Sequence, residues 1–156
     1  MKTVRDVRRP LFLFRVSKQA PVIDAVRTMT DNNVGIVAVL EGDTLVGVLS
    51  ERDVVQRVVA RGLDPARTFV QEVMTSDVVL GDVDEDCRLA MMKMDRASIR
   101  HLPILSEGKV VSMLSVRDLM RAELEDAGVE IEHLRAYLYQ VPAVSQDRQR
   151  TVEKTD

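Results

Sequence analysis

A chain of 156 residues with 46% hydrophobic and 30% charged side chains has enough apolar material for one core or two very small ones, and it lacks the composition of a disordered chain. A net charge of -3 and an aromatic fraction of 3% argue against nucleic-acid binding, which calls for a basic face and stacking platforms. A single cysteine, Cys87, excludes a disulfide framework or a thiolate metal cluster, and apolar runs of about six residues are too short to span a membrane.

The opening stretch, MKTVRDVRRP, carries charge without the apolar region of a secretory signal, so a cytoplasmic location is expected. LFLFRVS (residues 11–17) is the first extended piece. Val22, Ala25, Val26 and Met29 then share one face of a helix predicted over residues 22–32. A strand GIVAVL, a tight turn EGD and a strand TLVGVLS follow, with Gly42 supplying the permissive backbone of the turn. A helix ERDVVQRVVARG ends at Gly62. The connector LDPARTFVQEVMTSD holds Pro65 and polar residues, but its Phe69, Val70, Val73 and Met74 call for burial.

The same grammar then recurs: SDVVLGD, a helix over residues 85–97, HLPIL, a turn SEGK, KVVSMLS, and a helix VRDLMRAELEDAG that is expected to end at Gly128. A separate last helix is expected from Ile131, Leu134, Tyr137 and Leu138 at helical spacing, and the polar stretch after Pro142 is expected to fray. A shift of 65 residues aligns Ala25 with Ala90, Met29 with Met94, Leu40 with Leu105 and Leu49 with Leu114. It also aligns Ser50 with Ser115, Arg52 with Arg117 and Asp53 with Asp118, without a gap. Such self-similarity marks a repeat architecture. The expectation is an α+β fold of tandem β-α-β-β-α repeats packed sheet to sheet about a pseudo-twofold axis, because one unit alone buries too little. The repeats fall at residues 1–66 and 67–126, followed by a C-terminal helix (127–142) and a polar tail (143–156).

GVLSERD and its copy SMLSVRD, VQEVMTSDVV at the start of the second copy, and IRHLPIL at its second strand together resemble a pair of CBS domains, most of all small stand-alone bacterial CBS-pair proteins. The resemblance covers roughly residues 1–124. It implies a non-catalytic regulatory module that binds an adenosine-containing ligand in clefts between the repeats. AMP is foremost, with ADP, ATP or NAD(H) as the other candidates and S-adenosylmethionine less favoured. No catalytic cofactor is implied. The expected partners are the nucleotide itself, a second copy of the chain meeting it through the CBS helices and the C-terminal helix, and a regulated protein that the sequence does not identify. Neither nucleic acid nor membrane is among them.

The residues suit such a ligand on chemical grounds. Ser50 and Ser115 stand where a strand becomes a helix, so free backbone N–H groups and the positive end of the helix dipole gather there, as a phosphate requires. Their hydroxyls can donate to a phosphate oxygen. Asp53 and Asp118 follow three residues later, and a carboxylate can accept from both hydroxyls of a ribose. The resemblance implies those same roles. It places adenine in an apolar slot, with Val16 and Ile36 as candidates in one cleft and Thr75, Val78 and Val79 in the other. It also sends Arg100 and His101 to the phosphates, and Pro103, Arg52 and Arg117 are further candidates for the nucleotide site. The first copy has Gly35 and Ile36 where the second has Arg100 and His101, so the clefts are expected to be unequal. The family's glycine before the last apolar pair is present as Gly47 but replaced by Ser112 in the second copy. His133 reads as helix surface and Cys87 as incidental.

Ser-x-x-Asp at a helix start is also a capping box. Two function classes therefore stay open: a nucleotide sensor, and a ligand-independent dimerisation or interaction module with vestigial clefts. An enzyme is not expected, since no nucleophile triad, metal-ligand cluster or phosphate-hydrolysis loop is visible.

Overall fold

The structure, a computed structural model, describes residues 2–7 and 12–140, with the backbone alone for residues 129, 130 and 133–140. Strand β1 (Arg15–Ser17) leads into helix α1 (Val22–Asn32), whose Val22, Ala25 and Met29 are buried at the spacing the sequence sets. Asn33 ends this helix in the left-handed region, at φ 52°. Strand β2 (Ile36–Glu41) buries Val37, Ala38 and Val39 in succession, as a strand covered on both faces does. Gly42, at φ 61°, turns the chain into strand β3 (Thr44–Ser50). Helix α2 (Glu51–Val54) starts directly from β3 and runs into a π-helical turn, Val55–Val59. Helix α3 (Val70–Val73) lies in the connector.

The second copy is built from strand β4 (Gly81–Asp82), helix α4 (Cys87–Arg96), strand β5 (His101–Ser106), strand β6 (Lys109–Ser115) and helix α5 (Val116–Gln140). Each copy forms a three-stranded sheet, ordered β1-β2-β3 and β4-β5-β6, with one parallel and one antiparallel pairing. The register slips between Val39 and Leu40 in the first hairpin and between Ile104 and Leu105 in the second, which are matching positions. The two sheets meet along β3 and β6. The α+β doubling expected from the sequence is therefore present down to the bulge.

The connector does more than connect. Val22 N–H donates to Thr68 O (2.9 Å), Val70 N–H to Ala20 O (2.9 Å) and Gln71 N–H to Lys18 O (2.9 Å). These bonds lay α3 across the entrance to α1, and Val70 and Val73 join the core around Val22, Ala25, Val37 and Leu49. The second repeat makes the same three bonds with the start of the chain: Cys87 N–H to Lys2 O (3.0 Å), Val4 N–H to Glu85 O (3.0 Å) and Arg5 N–H to Val83 O (2.8 Å). There a 3-10 turn, Val4–Asp6, takes the place of α3, and Val4 and Val7 are buried. Each repeat is thus closed by a segment that stands outside it in sequence.

Two expectations need correction. Phe69 is not buried but 48% exposed, because it sits at the N-cap of α3 and the helix turns Val70 and Val73 inward instead. Gly128 does not end a helix. It lies within α5, which continues to Gln140 as one element rather than two, since the residues beyond Gly128 keep a helical pattern. The compact unit that carries both sheets ends at Met120. Ile131 is exposed. The side chains of His133, Leu134, Tyr137 and Leu138, and the polar tail expected to fray, lie outside the described residues.

Candidate functional site

β3 delivers Ser50 in an extended conformation (φ -107°, ψ 163°) directly to the start of α2. Its N–H and its hydroxyl both donate to Asp53 Oδ2, at 2.9 Å each, and Asp53 N–H donates back to Ser50 Oγ at 3.2 Å. Ser115 and Asp118 make the same three bonds at 2.9, 2.6 and 3.2 Å. Both motifs are therefore complete capping boxes. Each hydroxyl proton goes to the aspartate, and the serine and aspartate N–H groups are engaged in the same boxes, so what these corners offer an anion is the helix dipole and the neighbouring cations.

The two corners differ in what surrounds this shared frame. Asp53 is buried, and its Oδ1 lies 3.5 Å from Arg57 Nη2. Arg57 also donates through Nη1 to Val73 O (2.9 Å) and to Thr75 Oγ1 (3.2 Å). Thr75 is itself paired with Val48 of β3 through backbone bonds in both directions, at 3.0 and 2.9 Å. This crossing explains Gly47: a Cβ there would stand 2.8 Å from Met74 Sδ and 2.8 Å from Thr75 O. In the second copy Ala122 stands where Arg57 would be, and Ser112 is buried in the place of Gly47. Sequence reading missed Arg57. Its i,i+4 spacing from Asp53 was the available signal, whereas its partners on the connector lie 16 and 18 residues away.

At the second corner His101 is in register with Ser115, as Ile36 is with Ser50. Val116 N–H donates to Arg100 O (3.0 Å), which anchors Arg100 at the mouth of α5. Arg100 and Arg117 are exposed and His101 is half-buried. Burial pushes the His101 pKa below its ordinary value, and Arg100 and Arg117 push the same way. Asp118 and Glu51 oppose them. His101 thus feels charged groups from both repeats. Arg52 is exposed on α2; Val16, Ile36, Thr75 and Val78 are half-buried, and Val79 is exposed. Pro103 is fully buried in β5 and belongs to the interior. Among the described residues no group of His, Cys, Asp and Glu could hold a metal ion.

The CBS domain pattern matches the chain twice, over residues 4–60 and 70–125. The chain belongs to the CBS-domain family. Each match begins at a docking segment, at Val4 and at Val70, so the family's unit includes the piece that crosses to the other repeat. The CBS domain-containing protein YhcV of Bacillus subtilis (strain 168) is 31% identical over 121 residues, which are 76% of this chain and 86% of that protein. The chain spans 59% of one matched Arabidopsis thaliana CBS protein and only 22% and 21% of two others. Among solved structures, a putative signal-transduction protein with CBS domains from Burkholderia ambifaria MC40-6 matches with a TM-score of 0.76 at 29% identity, covering 80% of this chain and 96% of that one. A CBS domain protein from Pyrobaculum aerophilum, complexed with AMP, shares the fold with a TM-score of 0.68 at 24% identity, covering 75% and 89%. No helix among the described residues is long and apolar enough to cross a membrane.

Proposed function

We propose that this CBS pair is a regulatory adenine-nucleotide sensor rather than an enzyme. The observation that carries the proposal is the second corner: His101 stands in register with Ser115 at the N-terminus of the long helix α5, with Arg100 and Arg117 beside it. A phosphate there meets the positive end of a helix dipole and guanidinium groups at once. Asp118 lies one turn on, where its carboxylate can also accept from a ribose; Val78 and Thr75, the latter held by Arg57 and Val48 beside the first corner, are candidates for an adenine slot. Ser50, Arg52, Asp53, Val16 and Ile36 take the equivalent roles at the first corner. AMP is the preferred ligand, supported by the AMP complex of the fold neighbour; ADP, ATP and NAD(H) are the competitors. A ligand held between repeats favours one relative arrangement of them, and that bias passes to a partner, first of all a second copy of the chain.

The experiment is calorimetry of the full chain with AMP, ADP, ATP and NADH, repeated with Asp118→Asn. The amide keeps a capping oxygen but loses the charge that strengthens a ribose contact. AMP affinity is expected to fall by roughly tenfold, the worth of one charged hydrogen bond. Unchanged affinity in a folded variant removes the ribose role, and no binding of any of the four at millimolar concentration removes the sensor reading.

A second reading is a ligand-independent interaction module. The observation in its favour is that Arg57 already holds Asp53 at the first corner. It requires that saturating nucleotide leave the melting temperature unchanged, whereas binding to the folded state alone would raise it.

A further inference from the structure

The two segments that close the repeats are held by the same three backbone bonds but sit on different seats. In the first repeat Val70 N–H donates to Ala20 O, and Ala20 and Val16 pack against the core. In the second, Val4 N–H donates to Glu85 O, and Glu85, Gly81 and Lys93 stand where the first has Ala20, Val16 and Thr28. The Glu85 side chain is only 9% exposed. Lys93 Nζ pairs with its Oε2 and also donates to Leu80 O at 3.0 Å. Its Oε1 is buried without a hydrogen-bond partner, the one such side-chain atom among the described residues. A Cβ on Gly81 would stand 2.6 Å from this oxygen, and 2.7 and 2.8 Å from Ile104 Cδ1 and Leu102 Cδ2. Ile104 and Leu102 are both fully buried, so the glycine makes room for a carboxylate against the core. Such an orphaned oxygen carries a desolvation cost that no bond offsets.

The segments also differ in what ties them down. Arg57 donates to Val73 O at 2.9 Å and to Thr75 Oγ1 at 3.2 Å, which fastens α3 and the connector to the π-helical turn of the first repeat. The matching residue of the second repeat is Ala122, whose side chain has no donor. The Arg5–Asp84 pair joins two well-exposed groups and adds little. We infer that the segment Lys2–Val7 is a releasable clasp on the second repeat, loosened by the orphaned Glu85 carboxylate, while α3 is a fixed clasp on the first. Burial of Val4 and Val7 favours closure. Glu85 opposes it, because release of the Val83 and Glu85 carbonyls lets this run turn its carboxylate toward water. The clasp therefore opens before the molecule unfolds, and opening uncovers the Val83 and Glu85 carbonyls and the Cys87 N–H together. None of this depends on what the two corners bind.

The test is native-state hydrogen exchange of the full chain, followed by NMR. Matched amides form the comparison: Val4, Arg5 and Cys87 against Val70, Gln71 and Val22. Protection, corrected for each residue's intrinsic exchange rate, should be at least about tenfold lower in the first set of the wild type. Glu85→Met with Lys93→Met replaces the pair by apolar side chains of similar length. In that variant the protection of Val4, Arg5 and Cys87 should rise by about tenfold, while Val70, Gln71 and Val22 stay at their wild-type values. Glu85→Met alone leaves the partly exposed Lys93 free to reach water, and it should move the same amides in the same direction even if the double variant does not fold. Equal protection of the two sets in the wild type overturns the inference without any variant. So does a folded variant in which the first set does not rise, or in which both sets rise equally.

Discussion

Burial is the largest force on His101, and Arg100 and Arg117 add to it, so the folded chain disfavours the imidazolium although Asp118 and Glu51 favour it. The unfolded chain takes up this proton near pH 6.5, and the folded chain only at lower pH. Between those values the unfolded state binds more protons, so this residue makes stability fall as pH falls through that window. On the proposed reading, a bound phosphate would reverse the preference by pairing with the ring. The midpoint of His101, read from its ring protons by NMR, should therefore lie below 6.5 in the free protein and rise when AMP is added, with AMP affinity growing as the pH is lowered. A free-protein midpoint above 6.5 would mean that the carboxylates outweigh burial. At this scale the sequence was half legible. The Ser-x-x-Asp spacing identified both capping boxes, since it sets which side chains meet the first turn of each helix. It could not give Arg57 its role, because Val73 and Thr75, the groups it bonds, are brought to it only by folding.

The docking segments are the elements that tie the two repeats together. Val4 and Val70 are both fully buried, and each sits at the first residue of its segment. Val4→Ala and Val70→Ala should each cost about 2 kcal/mol of unfolding free energy in urea melts, the transfer loss of two methyl groups plus a small cavity. If Val4→Ala leaves the melt unchanged, the start of the chain does not close the second repeat in solution. Exposed ion pairing helps less here: Arg5 Nε meets Asp84 Oδ1 at 2.8 Å, but both side chains are well exposed, and such pairs contribute little. The equivalence of the two segments was written in the sequence as VRDV (residues 4–7) and VQEV (residues 70–73). It is easily overlooked because these four-residue stretches are offset by 66 positions while the rest of the repeat is offset by 65, and because the basic residues around VRDV draw attention to charge. Gly128 misled for a related reason. Glycine ends a helix when the chain beyond it turns away, and here α5 keeps its course through Gly128 to Gln140.

For the whole molecule, a gap-free repeat carried the fold class, because matching apolar positions across 65 residues leaves few ways to bury both copies other than as a pair. The same doubling marks two helical faces, one in each repeat, as candidates for the docking of a second chain. Val59 is 66% exposed and Leu124 is 70% exposed, and they occupy matching positions in the last helical segment of each repeat. Val55 and Met120, four residues earlier in each case, are exposed too. A lone exposed apolar residue needs no explanation, but an i,i+4 pair that the repeat writes twice is a face rather than an accident. A twofold-related copy can bury such a face against itself. Val59→Glu and Leu124→Glu should each shift sedimentation equilibrium from dimer toward monomer, with little cost to the fold because neither side chain is in the core. A dimer that survives both substitutions would locate the contact elsewhere. The nucleotide reading adds a second requirement, because coupling between sites is reciprocal. If AMP favours one arrangement of the repeats and that arrangement favours the dimer, then AMP must strengthen dimerisation by the same factor by which dimerisation strengthens AMP binding. Monomeric Val59→Glu should then bind AMP more weakly than the wild type although residue 59 is not among the corner residues, and equal affinity in the two would separate ligand binding from assembly.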